Sequence, residues 1–155
     1  MKVLFLDVDG VLNCNRRWKG PNAEHLDSFC LLSLADIIEK TEAKIVVSST
    51  WRLYSHIYDS TECSGLLIRL NRYGLDKEVI GYTPDITPRG PRANEIKQWL
   101  SEHPEVERFA ILDDDADAGF GLEENFFRTN FTHGLTEEIA NSVIEFLNKE
   151  RQKND

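Results

Sequence analysis

Two acidic clusters, a run of hydroxyls and a pair of arginines are the residues of this chain best suited to chemistry. Asp7-Val8-Asp9 directly follows the apolar Val3-Leu4-Phe5-Leu6 and precedes Gly10. Residues i and i+2 of an extended chain point to the same side, so the two carboxylates project together. Crowded carboxylates repel; either one keeps its proton or a cation sits between them. A pair with separated pKa values suits nucleophile-plus-acid chemistry. Asp113-Asp114-Asp115, with Asp117 two residues on, follows Phe109-Ala110-Ile111-Leu112. Carboxylate oxygens are hard ligands that suit Mg2+. An EF-hand is excluded, because a loop starting at Asp113 lacks the required glycine at its sixth position. Ser48-Ser49-Thr50 offers hydroxyls that can donate to a phosphoryl oxygen or cap a helix. Arg92, with Arg89 nearby, can bring a guanidinium to an anionic phosphoryl group. Taken singly, these are also the residues of solvated turns, helix caps and surface charges. Their joint occurrence argues for a site.

The elements that must position them follow from hydropathy spacing. Residues 2–6, 44–47 and 109–112 read as buried strands, each closing on a polar loop. Residues 79–80 suggest a stub of strand and 125–129 a fourth strand. Apolar residues at 26, 29, 30, 34, 37 and 38 predict a helix from Glu24 to Lys40. Residues 53–73 predict a helix in two pieces, broken around Cys63-Ser64-Gly65. Pro91 suits the first turn of a helix reaching about His103. Thr136 is placed to cap a last helix whose buried face carries residues 139, 143, 146 and 147. Residues 13–22 and 82–91 are loops by their Gly, Pro and Asn content. Alternating strand and helix imply an α/β domain with a mostly parallel sheet and helices on both faces. In such sheets, sites lie beyond the carboxyl ends of the strands.

The 155 residues suit one domain, over 1–149, with a polar tail at 150–155. Hydrophobic residues make up 41% and charged residues 29%, the balance of a globular protein rather than a disordered one. No apolar run is long enough to span a membrane, and Asp7 cuts the N-terminal run too short for a signal peptide, so a cytoplasmic location is expected. Cys14, Cys30 and Cys63 form no CxxC pair and are expected to be reduced; the four histidines show no paired spacing. A net charge of −9 argues weakly against general coating of nucleic acid, yet is also what a metal-binding carboxylate cluster produces.

The order of these motifs resembles the haloacid dehalogenase (HAD) superfamily in its phosphatase-like branch. Val3 to Asn13 matches its apolar strand and Asp-x-Asp-Gly-x-Leu. Ile45-Val46-Val47 followed by Ser48 or Ser49 matches its second motif, Arg92 its third and Phe109 to Asp114 its fourth. The block Ser48-Ser49-Thr50-Trp51-Arg52 is similar to the small HAD domains grouped with Swiss Army Knife RNA-repair proteins. The resemblance implies a Rossmann-like three-layer α/β/α HAD fold. It implies Asp7 as nucleophile, forming an aspartyl-phosphate, and Asp9 as general acid and base. It implies a Mg2+ ion held by Asp7, the backbone carbonyl of Asp9, and Asp113 or Asp114. Ser49 is the preferred phosphoryl-binding hydroxyl, with Ser48 as the alternative. The usual third-motif lysine is replaced by Arg92, and Lys97 lies too far along the helix to serve. Residues 14–23 and 51–90 leave no room for a substantial cap domain. By the same resemblance a capless site is open to a bulky phosphorylated substrate, such as a nucleotide or a nucleic-acid end. Arg16, Arg17, Lys19, Arg52 and Arg89, with Trp18 among them, are expected in loops on the site side. The alternatives are a silent module that binds a phosphorylated partner and a phosphotransferase.

Overall fold

A computed structural model describes residues 1–14, 26–52, 62–86, 88 and 90–150, with 62–65 described by backbone alone. The apolar runs become five strands: β1 (Lys2–Leu6), β2 (Lys44–Val47), β3 (Val79–Tyr82), β4 (Arg108–Asp113) and β5 (Phe126–Arg128). They pair in the order β3-β2-β1-β4-β5, and every pairing is parallel. The sheet is therefore wholly parallel. The α-helices described in full are α1 (Ser28–Thr41), α2 (Glu62–Asn71), α3 (Arg92–Glu102) and α4 (Glu137–Asn148).

β1 is central, and Val3, Leu4, Phe5 and Leu6 are all fully buried. A parallel strand covered on both faces has no solvent side, which is why this segment is continuously apolar. Leu4, Leu6, Ile45 and Val47 pack with Leu34, Ile37, Leu70, Val143 and Leu147 of α1, α2 and α4. Val3, Phe5, Val46 and Ile111 pack on the opposite face with Ile96 and Trp99 of α3 and with Ala118. Phe5 and Trp99 meet edge-on at 5.5 Å. Each such side chain, fully buried, contributes about 1.5–3 kcal/mol. The result is the three-layer, Rossmann-like arrangement expected.

Helix boundaries shift where a polar group intervenes. The Asp27 carboxylate accepts from the Phe29 N–H at 2.8 Å and from that of Cys30, so α1 starts at Ser28 rather than near Glu24. The break expected at 63–65 is absent, and α2 runs through those residues. A glycine costs a helix about 1 kcal/mol, which burial of Leu66 and Leu70 in the core outweighs. Thr136 caps α4 as expected, accepting from the Ile139 N–H at 3.3 Å. The helix expected over 53–61 and the loop over 15–22 lie outside the described residues. Cys14 and Cys30 are buried; the Cys63 side chain is not among those described. No helix among the described residues is long and apolar enough to cross a membrane.

The chain lays down β2 and β3 on one side of β1, then returns to place β4 on the other. The carboxyl ends of β1 and β4 thus flank a switch point, the usual place for a site in open α/β sheets. The connections that could house a cap, residues 7–27 and 48–61, are far shorter than the roughly 50 residues of a small domain. Neither connection is long enough to hold a substantial cap.

Candidate active site

The pairing of β1 with β4 brings the acidic residues together. The Asp7 N–H donates to the Leu112 carbonyl at 3.0 Å, extending the ladder by one step, and Asp113 closes β4. Oxygens of Asp7, Asp113 and Asp114 all lie within 4.8 Å of one another. Gly10, at φ +77°, makes room for this approach, because a Cβ there would collide with the Asp114 carboxylate. The other two acids of the second cluster do different work. Asp115 accepts from the Asp117 N–H at 3.1 Å and closes the turn at Ala116–Gly119. Asp117 accepts from the Arg92 N–H at 3.1 Å, placing a carboxylate at the positive end of α3.

Arg92 therefore starts its helix with a fixed backbone. Its Nη1 lies 2.8 Å from the Ser48 carbonyl, 3.1 Å from Asp7 Oδ1 and 3.4 Å from Asp113 Oδ2. Lys97 is exposed, and its ammonium lies against Gly121. Ser49 is buried, and its hydroxyl accepts from the Trp51 N–H at 3.2 Å. The Ser48 hydroxyl is also buried, with no hydrogen-bond partner among the described residues. Asp9 is exposed, and its carboxylate turns from the acidic cluster toward Asn13 and Trp51.

Arg52 departs from expectation. Rather than lining the rim, it is only 4% exposed. Its guanidinium donates to the carbonyls of Ser48, Ser49 and Thr83 and to Glu95 Oε2 at 2.8 Å. A buried guanidinium needs such partners, and five donors in a planar fork let one side chain tie together several strand ends. Arg52 thus binds the ends of β2 and β3 to α3. The other basic residues expected at the rim (Arg16, Arg17, Lys19 and Arg89, with Trp18) lie outside the described residues, as do His25 and His56. His103 stacks on Trp99 at 3.6 Å, and His133 is exposed beside α1; neither belongs to the acidic cluster.

The cluster is electrostatically strained. Burial pushes the Asp7 carboxyl up to about 6, with Arg92 opposing the rise. Burial, then the charge of Asp7, pushes Asp113 up to about 8, again against Arg92. Burial also raises Asp114. Burial works against the charge of Arg92, but Asp7, Asp113, Asp117 and Glu95 more than offset it, so its pKa is raised. Three hard oxygen donors at a strand-end crevice, short of positive charge, fit a divalent cation such as Mg2+.

One consequence is measurable without substrate. A carboxyl whose folded pKa is raised adds stability that is full below its unfolded value and lost as pH rises through the folded one. In chelator, the melting temperature of Asp113→Asn should exceed that of the unaltered protein, by a gap that widens between about pH 5 and pH 8. Thermal melts across that range check this; a gap independent of pH would mean that Asp113 is not the strained carboxyl.

The family model for the HAD domain in Swiss Army Knife RNA repair proteins matches residues 3–140. The chain belongs to this family. A search of curated proteins gives no match. The matched span of the HAD domain contains every residue of the cluster just described, together with Ser49, Arg52 and Arg92. Sequence reasoning missed Asn13, Glu95 and the buried role of Arg52. The Trp-Arg pair directly after the hydroxyl run was the signal available for the last of these.

Proposed function

We propose that this HAD domain is a Mg2+-dependent phosphomonoester hydrolase acting in the cytoplasm as a single catalytic unit over 1–149. The observation that carries the reading is the convergence of Asp7, Asp113 and Asp114 within 4.8 Å at neighbouring strand ends, beside the Arg92 guanidinium. Asp7, Asp113 and Asp114, with the Asp9 carbonyl, would hold the ion. Bound there, it would neutralise charge on the nucleophile and on the phosphoryl oxygens.

An Asp7 oxygen attacks phosphorus as the bond to the leaving oxygen breaks, giving an aspartyl-phosphate. Asp9 gives its proton to that leaving oxygen, then takes one from the water that attacks phosphorus and frees Asp7. Arg92 neutralises phosphoryl charge, and Ser49 donates to a phosphoryl oxygen. The lack of a substantial cap and the RNA-repair setting of the family favour a nucleotide or a nucleic-acid end as substrate.

Purified protein should turn over an aryl phosphate with Mg2+ and lose that activity on chelation. A panel of nucleotides, sugar phosphates and end-phosphorylated oligonucleotides should then rank the nucleic-acid ends highest. Binding of Mg2+ and phosphate without turnover of any substrate would instead establish a silent module.

A further inference from the structure

Asp9 is held by two donors that come from different parts of the chain. Asn13 Nδ2 donates to Asp9 Oδ1 at 2.8 Å, and Trp51 Nε1 donates to Asp9 Oδ2 at 3.2 Å. Both donors are themselves fixed. Asn13 is 2% exposed, and its Oδ1 accepts from the Gly10 N–H at 2.8 Å, so its amide has one orientation. Trp51 packs against the core layer of α1, α2 and α4, and its backbone N–H is tied to the Ser49 hydroxyl. An exposed aspartate would ordinarily sample several rotamers. Here each carboxylate oxygen has its own donor, and the plane of the group is set.

We propose that Trp51 and Asn13 are positioning residues that fix the orientation of the Asp9 carboxyl for proton transfer to the leaving oxygen. The inference rests on the proposed role of Asp9 as general acid. Each N–H takes one lone pair of its oxygen, which leaves a second lone pair to carry the proton that is given up as the phosphorus–oxygen bond breaks. Alignment matters most when the leaving oxygen is strongly basic and cannot depart without that proton. A stable leaving group, such as 4-nitrophenolate, departs without it. The Trp51 indole thereby couples the turn after β2, which also carries Ser49, to the acid that follows β1.

The test compares an alkyl phosphate with 4-nitrophenyl phosphate for the unaltered protein, Trp51→Phe and Asp9→Asn. Phenylalanine keeps an aromatic body against the core and removes the N–H. Trp51→Phe should lower kcat/KM, which reports formation of the phosphoenzyme before Asp9 acts as base, by about tenfold to a hundredfold on the alkyl phosphate and leave that on the 4-nitrophenyl ester within a few-fold. Asp9→Asn should show the same selectivity in kcat/KM more strongly, at about a thousandfold, while its kcat falls on both esters because the base is lost. Equal losses on both esters in Trp51→Phe, or no loss on either, would overturn the positioning role while leaving that of Asp9 intact. Equal losses of kcat/KM on the two esters in Asp9→Asn would overturn the acid assignment and the inference with it. Should Trp51→Phe fail to fold, 3-benzothienylalanine at position 51 keeps the bicyclic shape, lacks the donor and should give the same selectivity.

Discussion

Asp7→Asn should abolish turnover, by about four orders of magnitude or more, while leaving the fold intact or slightly more stable. The amide is nearly isosteric with the carboxyl but has no anionic oxygen to attack phosphorus. The stability half of the result follows from the strain in the cluster. Burial holds the Asp7 carboxyl at about 6, so near neutral pH the metal-free protein carries a charge there that the fold disfavours, and asparagine removes it. Acid-quench trapping of phosphorylated protein provides the direct measurement. The unaltered chain should yield a hydroxylamine-labile phosphoenzyme, and the variant none. Wild-type rates in the variant would sink the nucleophile assignment, and a lowered melting temperature would point to misfolding rather than lost chemistry.

Arg52→Ala should be the most destabilising of the substitutions considered, at about 3–5 kcal/mol. The side chain is 4% exposed and its ion-pair partner Glu95 is about 10% exposed. Truncation would strand Glu95 in the interior and remove the side-chain donor of the Thr83 carbonyl, while the Ser48 and Ser49 carbonyls keep only Arg92 and the backbone N–H of residue 52. Removing one member of a buried pair costs more than replacing both, because the second charge is no longer left alone. Arg52→Met combined with Glu95→Leu should therefore recover part of the loss. Chemical denaturation of the two single variants and the double variant measures this coupling. Additive single losses would show that the pair is not coupled.

The parts of the fold legible in the sequence are those with simple periodicity. β1, β2 and β4 announce themselves as unbroken apolar runs because both of their faces are covered. α4 is readable from its cap and its buried stripe. Asp7, Asp113, Asp114 and Arg92 stand out because each abuts a strand end or a helix start. What escaped was tertiary. Nothing in the spacing of Arg52 and Glu95, 43 residues apart, shows that the two charges meet in the interior. Asp115 and Asp117 look like ligands in the sequence but cap backbone amides in the fold. The start of α1 depends on one carboxylate finding two amides, a competition that hydropathy does not register. The pairing of Trp51 with Asp9 spans 42 residues and exists only because β1 and β2 are neighbours.

Without a substantial cap, dryness has to come from below. Asp7 and Asp113 are 5% and 1% exposed even though they stand at strand ends. Their floor is the hydrogen-bonded sheet itself, backed by Phe5, Ile111 and Ile96. The low dielectric that strengthens charge–charge contacts is thus permanent and needs no closing motion. A reacting group would meet a half-dry surface on arrival, with one side set by the protein and the other by the bulk of whatever docks upon it.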